Sequence, residues 1–373
     1  MIVAPDKFKG TLTAREAANA IASGVGRVLP SADIVRLPLA DGGEGTADAL
    51  VSALGGESVF ATVPGPLGEI VRAPLWRLSN GDIVVEMASA SGLHLVPEGR
   101  RDPLAASSEG AGGLIAKAWN LSPRRLVVGV GGSASTDGGT GAARAIGWRF
   151  LDREGRDLPR GGGALTDLAT IEGPDELPSG VVGACDVSSP LCGPAGAARV
   201  FGPQKGATPA QVELLERGLE RLREVVAAQL GVEIDGVPGA GAGGGMGAGL
   251  KSFFRAELRS GFDLVAGAVG LRRALDGASL VITGEGRIDD ATLADKVPAG
   301  VARLARDAGV PCLAVAGELA LDAERLGNAG FAGAIGCTSA IGSRALLDPV
   351  GAVTEATAML LVAHGHPPPA GRY

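Results

Sequence analysis

Aromatic residues make up only 3% of the 373-residue chain, which leaves little for stacking against nucleobases. Histidine is rarer still, with two of its three copies (His364 and His366) in the tail. That is too few for a His-rich metal site and poor material for a Ser-His-Asp triad, and no GxSxG elbow occurs. The four cysteines (Cys185, Cys192, Cys312 and Cys337) are irregularly spaced without a CxxC pair. They are expected as buried free thiols in a reducing compartment. Positive charge is also short: the formal net charge is −7 and the pI about 5.2. The basic footprint that nucleic acid requires is missing, so no nucleic-acid partner is expected. The start, Met1 to Lys7, lacks a basic region followed by an apolar one, so no signal peptide is expected and the cytoplasm is the expected location. The longest uncharged stretch, 326–343, is broken by glycines and hydroxyls, so no membrane span is expected.

What is abundant is apolar residues, at 46%, and glycine, at 61 copies. The glycines follow no three-residue period, which excludes collagen. At this length two domains are expected. Both ends of the chain alternate apolar strands with helices: strands over 1–4, 33–39, 279–283, 311–316 and 331–337, helices from the Thr13/Glu16 capping box, over 47–54, 298–308, 321–326 and 349–363. That grammar predicts a parallel, doubly wound sheet. The middle has strands over 81–87, 125–130 and 181–184 between Gly/Pro-rich segments, and one long helix over 209–230 behind the Thr208 cap. The expectation is a discontinuous Rossmann-like α/β domain, 1–60 plus 262–373, with a second α/β domain, 61–261, inserted in it. A ligand site would then fall in the cleft between them.

There are six polar or glycine-rich loops, and several of them follow these strands, where open α/β sheets bind ligands. Pro5–Gly10 offers Asp6, Lys7 and Lys9 just before a helix, suited to an anion, or simply a solvated turn. Asp41 to Thr46 holds Asp41 and Glu44, hard oxygen ligands suited to Mg²⁺, or a turn complementing a helix dipole. Gly129 to Gly139 supplies five glycines, three hydroxyls and Asp137, a phosphate cradle that does not match GxxxxGK[ST]. Gly239 to Gly247 formally contains GxGxxG, with Asp263 beyond it, but no convincing strand precedes it. Asp186 ends a strand as a candidate base, metal ligand or turn residue, with Lys205 downstream. Glu285, Arg287 and Asp289 stand together after the 279–283 strand, as a site or a surface ion-pair loop. Carboxylates and cations among phosphate-friendly loops, without a histidine base or redox cysteine, suit phosphoryl transfer.

Several of these segments carry a resemblance. APDKFKGTLTA (Ala4–Ala14), PLADGGEGT (Pro38–Thr46), EMASASGL (Glu86–Leu93) and GVGGSASTDGGTG (Gly129–Gly141) are similar to motifs of the type I glycerate kinases. So are ACDVSSPLCGPAGAARVFGPQKGA (Ala184–Ala207), PGAGAGGGMGAGL (Pro238–Leu250) and VITGEGRID (Val281–Asp289). The match is collinear along nearly the whole chain.

The resemblance implies ATP-dependent phosphorylation of D-glycerate, with 2-phosphoglycerate favoured, and a two-domain α/β fold with the active site in the inter-domain cleft. The alternatives are a kinase for a related hydroxy acid and a non-catalytic metabolite-binding protein. ATP and Mg²⁺ are the implied cofactors, D-glycerate the small-molecule partner, and a homodimer is open. Asp186 is assigned as the base that accepts the glycerate hydroxyl proton, with Lys7 and Arg287 on the carboxylate or the transferring phosphoryl. Asp6, Lys9, Lys205 and Glu285 are assigned to substrate; Gly131, Gly132, Ser133 and Asp137 to nucleotide; Asp41, Glu44 and Asp289 to Mg²⁺. Thr136, Ser189, Ala291 and Asp295 depart from the usual family residues.

Overall fold

The computed structural model describes residues 1–185, 189–293 and 296–366. The chain divides into two compact units. The first comprises 1–41, 48–53 and 262–373, the second 42–47 and 54–261.

The first unit is built on a five-stranded sheet in the order Gly333–Gly336, Cys312–Leu319, Val281–Ile288, Ile2–Val3, Val35–Arg36. All its pairings are parallel. The inner strands are apolar without alternation because both faces are covered. Val3, Ile282, Leu313 and Val315 share a core with Ile21, Val25, Val353 and Leu360. Helix Ala14–Val28 starts at the expected capping box: Thr13 Oγ1 accepts from Glu16 N, and Thr13 N donates to Glu16 Oε2. It packs on helix Pro349–Ala363 at Gly24, where a Cβ would come 2.5 Å from the Thr354 carbonyl oxygen. Only a glycine lets the two backbones pass this closely.

The second unit has a six-stranded sheet in the order Glu257–Ser260, Val181–Cys185, Leu126–Gly129, Ile83–Glu86, Ile70–Leu78, Gly56–Pro64. The first four strands are mutually parallel and the last two are antiparallel. Its core gathers Leu75, Val85, Leu114, Val128 and the aromatic group Trp148, Phe150 and Phe253, whose rings lie 5.1 and 5.2 Å from the Phe253 centroid. Helix Pro209–Leu230 has the boundaries the sequence predicts, from the Thr208/Gln211 box to Gly231 at φ 66°.

Three expectations need correction. The 284–289 segment is not a loop after the strand, because the strand itself runs from Val281 to Ile288. The expected strand over 33–39 shortens to Val35–Arg36, both exposed. The 239–247 glycine run enters helix Ala242–Phe254 through Gly243, Gly244 and Gly245, all at positive φ. The antiparallel pair 56–78 was not foreseen. Among the described residues, no helix is long and apolar enough to cross a membrane.

Candidate functional site

In the first unit the chemistry gathers where the sheet's central strands end. Asp6 N donates to the Gly284 carbonyl at 2.8 Å, which lays the Pro5–Gly10 segment along the Val281–Ile288 strand. Thr283 Oγ1 fixes the same register by donating to the Ala4 carbonyl. Gly284 and Gly286 are glycines for space: a Cβ would lie 2.2 Å from the Val315 carbonyl at the first and 3.0 Å from Lys9 N at the second.

Between them Glu285 is buried, and Asp6 beside it is buried too. Loss of water raises the Asp6 carboxyl to about 7, helped by the charge of Asp41 and, more weakly, Glu285, against the opposing pull of Lys7. Burial likewise raises Glu285 to about 7, with Asp41 and Asp289 adding to the rise. A hydrogen bond from Thr292 Oγ1 at 2.6 Å and the charge of Lys296 hold it back. Thr292 also accepts from Asp289 N at 3.1 Å, so one buried hydroxyl ties the two acids together.

Arg287 is half exposed and pairs with Glu318 at 2.8 Å and Asp289 at 3.2 Å. Lys7 is half buried and Lys9 exposed.

In the second unit the loops leave the carboxyl ends of the parallel strands. Gly42 and Gly43 thread against them: a Cβ on Gly42 would meet the Ala184 backbone at 2.8 Å, and one on Gly131 would meet Gly43 Cα at 2.5 Å. Glu86, buried at the end of its strand, accepts from Gly45 N at 3.0 Å and Ala47 N at 2.8 Å.

Lys205 is 3% exposed. Its Nζ donates to Ser133 Oγ at 2.9 Å and to the Ser135 carbonyl at 2.5 Å. Burial pulls this ammonium down to about 8, and the charge of Asp137 partly restores it. Gly244 makes room, since a Cβ there would stand 2.8 Å from Nζ and 2.0 Å from the Ser135 oxygen. Among the described residues, the buried Ser135 and Thr136 hydroxyls find no hydrogen-bond partner.

Asp137 is fully buried, and its carboxylate accepts from Ser108 N, Ser108 Oγ, Gly139 N and Gly141 N. These bonds hold the loop in shape.

The first unit thus brings Asp41 near Asp6 and Glu285, and Asp289 near Glu285. Glu44, placed beside Asp41 by the sequence reading, belongs to the second unit and is exposed. Ser133 and Lys205 meet, with Gly131 and Gly132 on the same loop. Asp186 and Asp295 lie outside the described residues. Ser189 is buried and its carbonyl accepts from Gly241 N. The sequence reading missed Glu86 and Thr292, although Glu86 opens a quoted motif and Thr292 follows the departing Ala291. Among the described residues, no three His, Cys, Asp or Glu side chains converge as a ready-made cation cage.

Comparison with known proteins gives one answer along the whole chain. Residues 1–359 match the model of the glycerate kinase family. A glycerate kinase of Bacillus subtilis (strain 168) is 46% identical over 327 residues, covering 86% of each chain. A glycerate 2-kinase of Escherichia coli (strain K12) is 45% identical over 329 residues, again 86% of each. A crystal structure from Salmonella typhimurium LT2, described as a glycerate kinase 2, superposes with a TM-score of 0.80 at 40% identity, covering 98% of this chain and 97% of that one.

Proposed function

The chain belongs to the glycerate kinase family, and on that premise we propose that it transfers the γ-phosphoryl group of ATP to D-glycerate in the cytoplasm, giving 2-phosphoglycerate and ADP. The observation that carries the reading is the split of charge between the units. One unit buries two acids that loss of water raises to about 7, and the other buries Lys205 in a glycine- and serine-lined loop. Phosphoryl transfer asks for little covalent chemistry from the protein and much positioning of charge.

In this reading the glycerate hydroxyl oxygen bonds to the γ-phosphorus as the bond to the β-bridging oxygen breaks, and Asp186 takes the hydroxyl proton. Lys7 and Arg287 bind the glycerate carboxylate or the equatorial phosphoryl oxygens. Asp6, Lys9 and Glu285 line the acceptor. The Gly131–Ser133 turn receives nucleotide phosphates, with Lys205 supplying positive charge through Ser133.

Mg²⁺ fits the donors in the first unit. Mutually repelling carboxylates are hard oxygen ligands, and Mg²⁺ commonly takes one or two of them together with substrate phosphates. Asp41 and Asp289 would hold it, and it would supply neutralising charge to the phosphates.

A panel of hydroxy acids with Mg-ATP, read by ADP release, tests the proposal beside Asp186→Asn. D-glycerate is expected to be the best acceptor, with the variant slowed by at least about a hundredfold. A better acceptor elsewhere in the panel would replace the substrate, and an unchanged variant would remove Asp186 from the chemistry.

A further inference from the structure

The second unit carries another charged cavity at the opposite edge of its sheet. Its volume is about 450 Å³, and its charged lining is Arg124, Arg125, Arg255, Arg259 and Glu257. Arg124 and Arg125 immediately precede strand Leu126–Gly129, Val181 opens strand Val181–Cys185, and Arg255 and Glu257 lead into strand Glu257–Ser260. All of these are amino-terminal ends of parallel strands, whereas the Ser133 loop leaves a carboxyl-terminal end.

Three features set this cavity apart from an ordinary basic surface. First, four guanidiniums share two carboxylates. Buried Asp82 accepts from Arg124 at 3.0 Å and Arg125 at 2.8 Å, and Glu257 pairs with Arg259 at 2.8 Å. Among the described residues, Arg255 has no ion-pair partner and the buried Arg125 Nε has no acceptor. Two positive charges are therefore left over in a chain whose net charge is −7.

Second, Asp82 holds the Arg124 and Arg125 guanidiniums in place through Nε and terminal nitrogens. The fork that would meet an anion is thus ordered in advance, which reduces the entropy lost on binding. Third, among the described residues only two that are not glycine adopt positive φ, Ser122 at 50° and Arg255 at 51°, and Arg255 lines this cavity. Such backbone is disfavoured for residues with a Cβ and persists where its surroundings enforce it, commonly at functional sites. A glycine would cap helix Ala242–Phe254 with less strain, yet an arginine stands there and lines the cavity.

We propose that this cavity is a second ligand site, separate from the candidate active site, for a small multivalent anion of the phosphate type. The arginine forks match phosphate oxygens in a bidentate manner, and the volume lies in the range of small-molecule pockets. Among the described residues, no nucleophile, histidine or unpaired acid lines it, so the site binds and does not react.

The test is calorimetric titration of inorganic pyrophosphate into the whole protein at low ionic strength, where screening is weak. The wild type is compared with Arg255→Gly, which suits the left-handed backbone, and with the control Arg223→Ala, whose partner is Asp235. A binding event weakened at least about tenfold in Arg255→Gly and unchanged in Arg223→Ala is expected. A folded Arg255→Gly that binds pyrophosphate as the wild type does would overturn the proposal. So would a wild type that gives no binding.

Discussion

The two units answer the same physical problem with opposite signs. In the first, burial raises acids, bringing Asp6 and Glu285 to about 7. In the second, burial lowers a base, bringing Lys205 to about 8. Both shifts come from the same loss of water, which disfavours whichever form is charged. Nearby opposite charge offsets each shift only in part: Lys7 and Lys296 in the first unit, Asp137 in the second.

Removing Lys205 should break the contrast most severely. Lys205→Ala is expected to cost about 3 kcal/mol of transition-state stabilisation, a hundredfold or more in kcat/KM, on the scale of a lost preorganised donor. Lys205→Arg should not rescue it, because the Gly244 backbone leaves no room for the larger head. Steady-state kinetics on both variants checks this. Next is Gly244→Ala. A residue with a Cβ is strained at φ 73°, and its Cβ would lie 2.0 Å from the Ser135 oxygen, so a loss of about 2 kcal/mol or more in chemical denaturation is expected.

The acidic unit is probed by pH. Asp6 and Glu285 bind protons more tightly folded than unfolded, so their contribution to apo-protein stability is greatest below their ordinary values of 3.8 and 4.5. It is lost as pH rises to about 7. Asp6→Asn should flatten the fall in Tm across that window, by several degrees at the neutral end. A smaller effect belongs to Thr292→Val. The Thr292 hydrogen bond holds Glu285 down, so its loss should move the acid limb of the pH–rate profile to higher pH by about half a unit.

How much of this was legible in the sequence depended on whether the signal was local. The caps at Thr13 and Thr208 bring their partners three residues away, and both helices start where expected. Helix Pro349–Ala363 also has the predicted bounds. Glycines were harder to read, because one that turns the chain and one that lets another backbone pass look alike. Gly284 and Gly286 read as a loop, but they lie in a strand and make way for Val315 and Lys9. The bond between Asp137 and Ser108 was not legible, because the two stand 29 residues apart. The 56–78 hairpin escaped because its first strand is mostly exposed and its second is interrupted by Arg72, Pro74 and Arg77. At the site, residue types were legible and their division between the units was not: Asp41 and Glu44 are three residues apart and fall in different units.

The measurement that bears most directly on the central claim is ³¹P NMR of the purified protein with Mg-ATP and D-glycerate, run beside Asp6→Asn and Lys205→Ala. The account predicts a 2-phosphoglycerate resonance growing with ADP in the wild type and strongly slowed in each variant, one from each unit. A folded wild type that forms no phosphoglycerate, or two variants that form it at the wild-type rate, would contradict it.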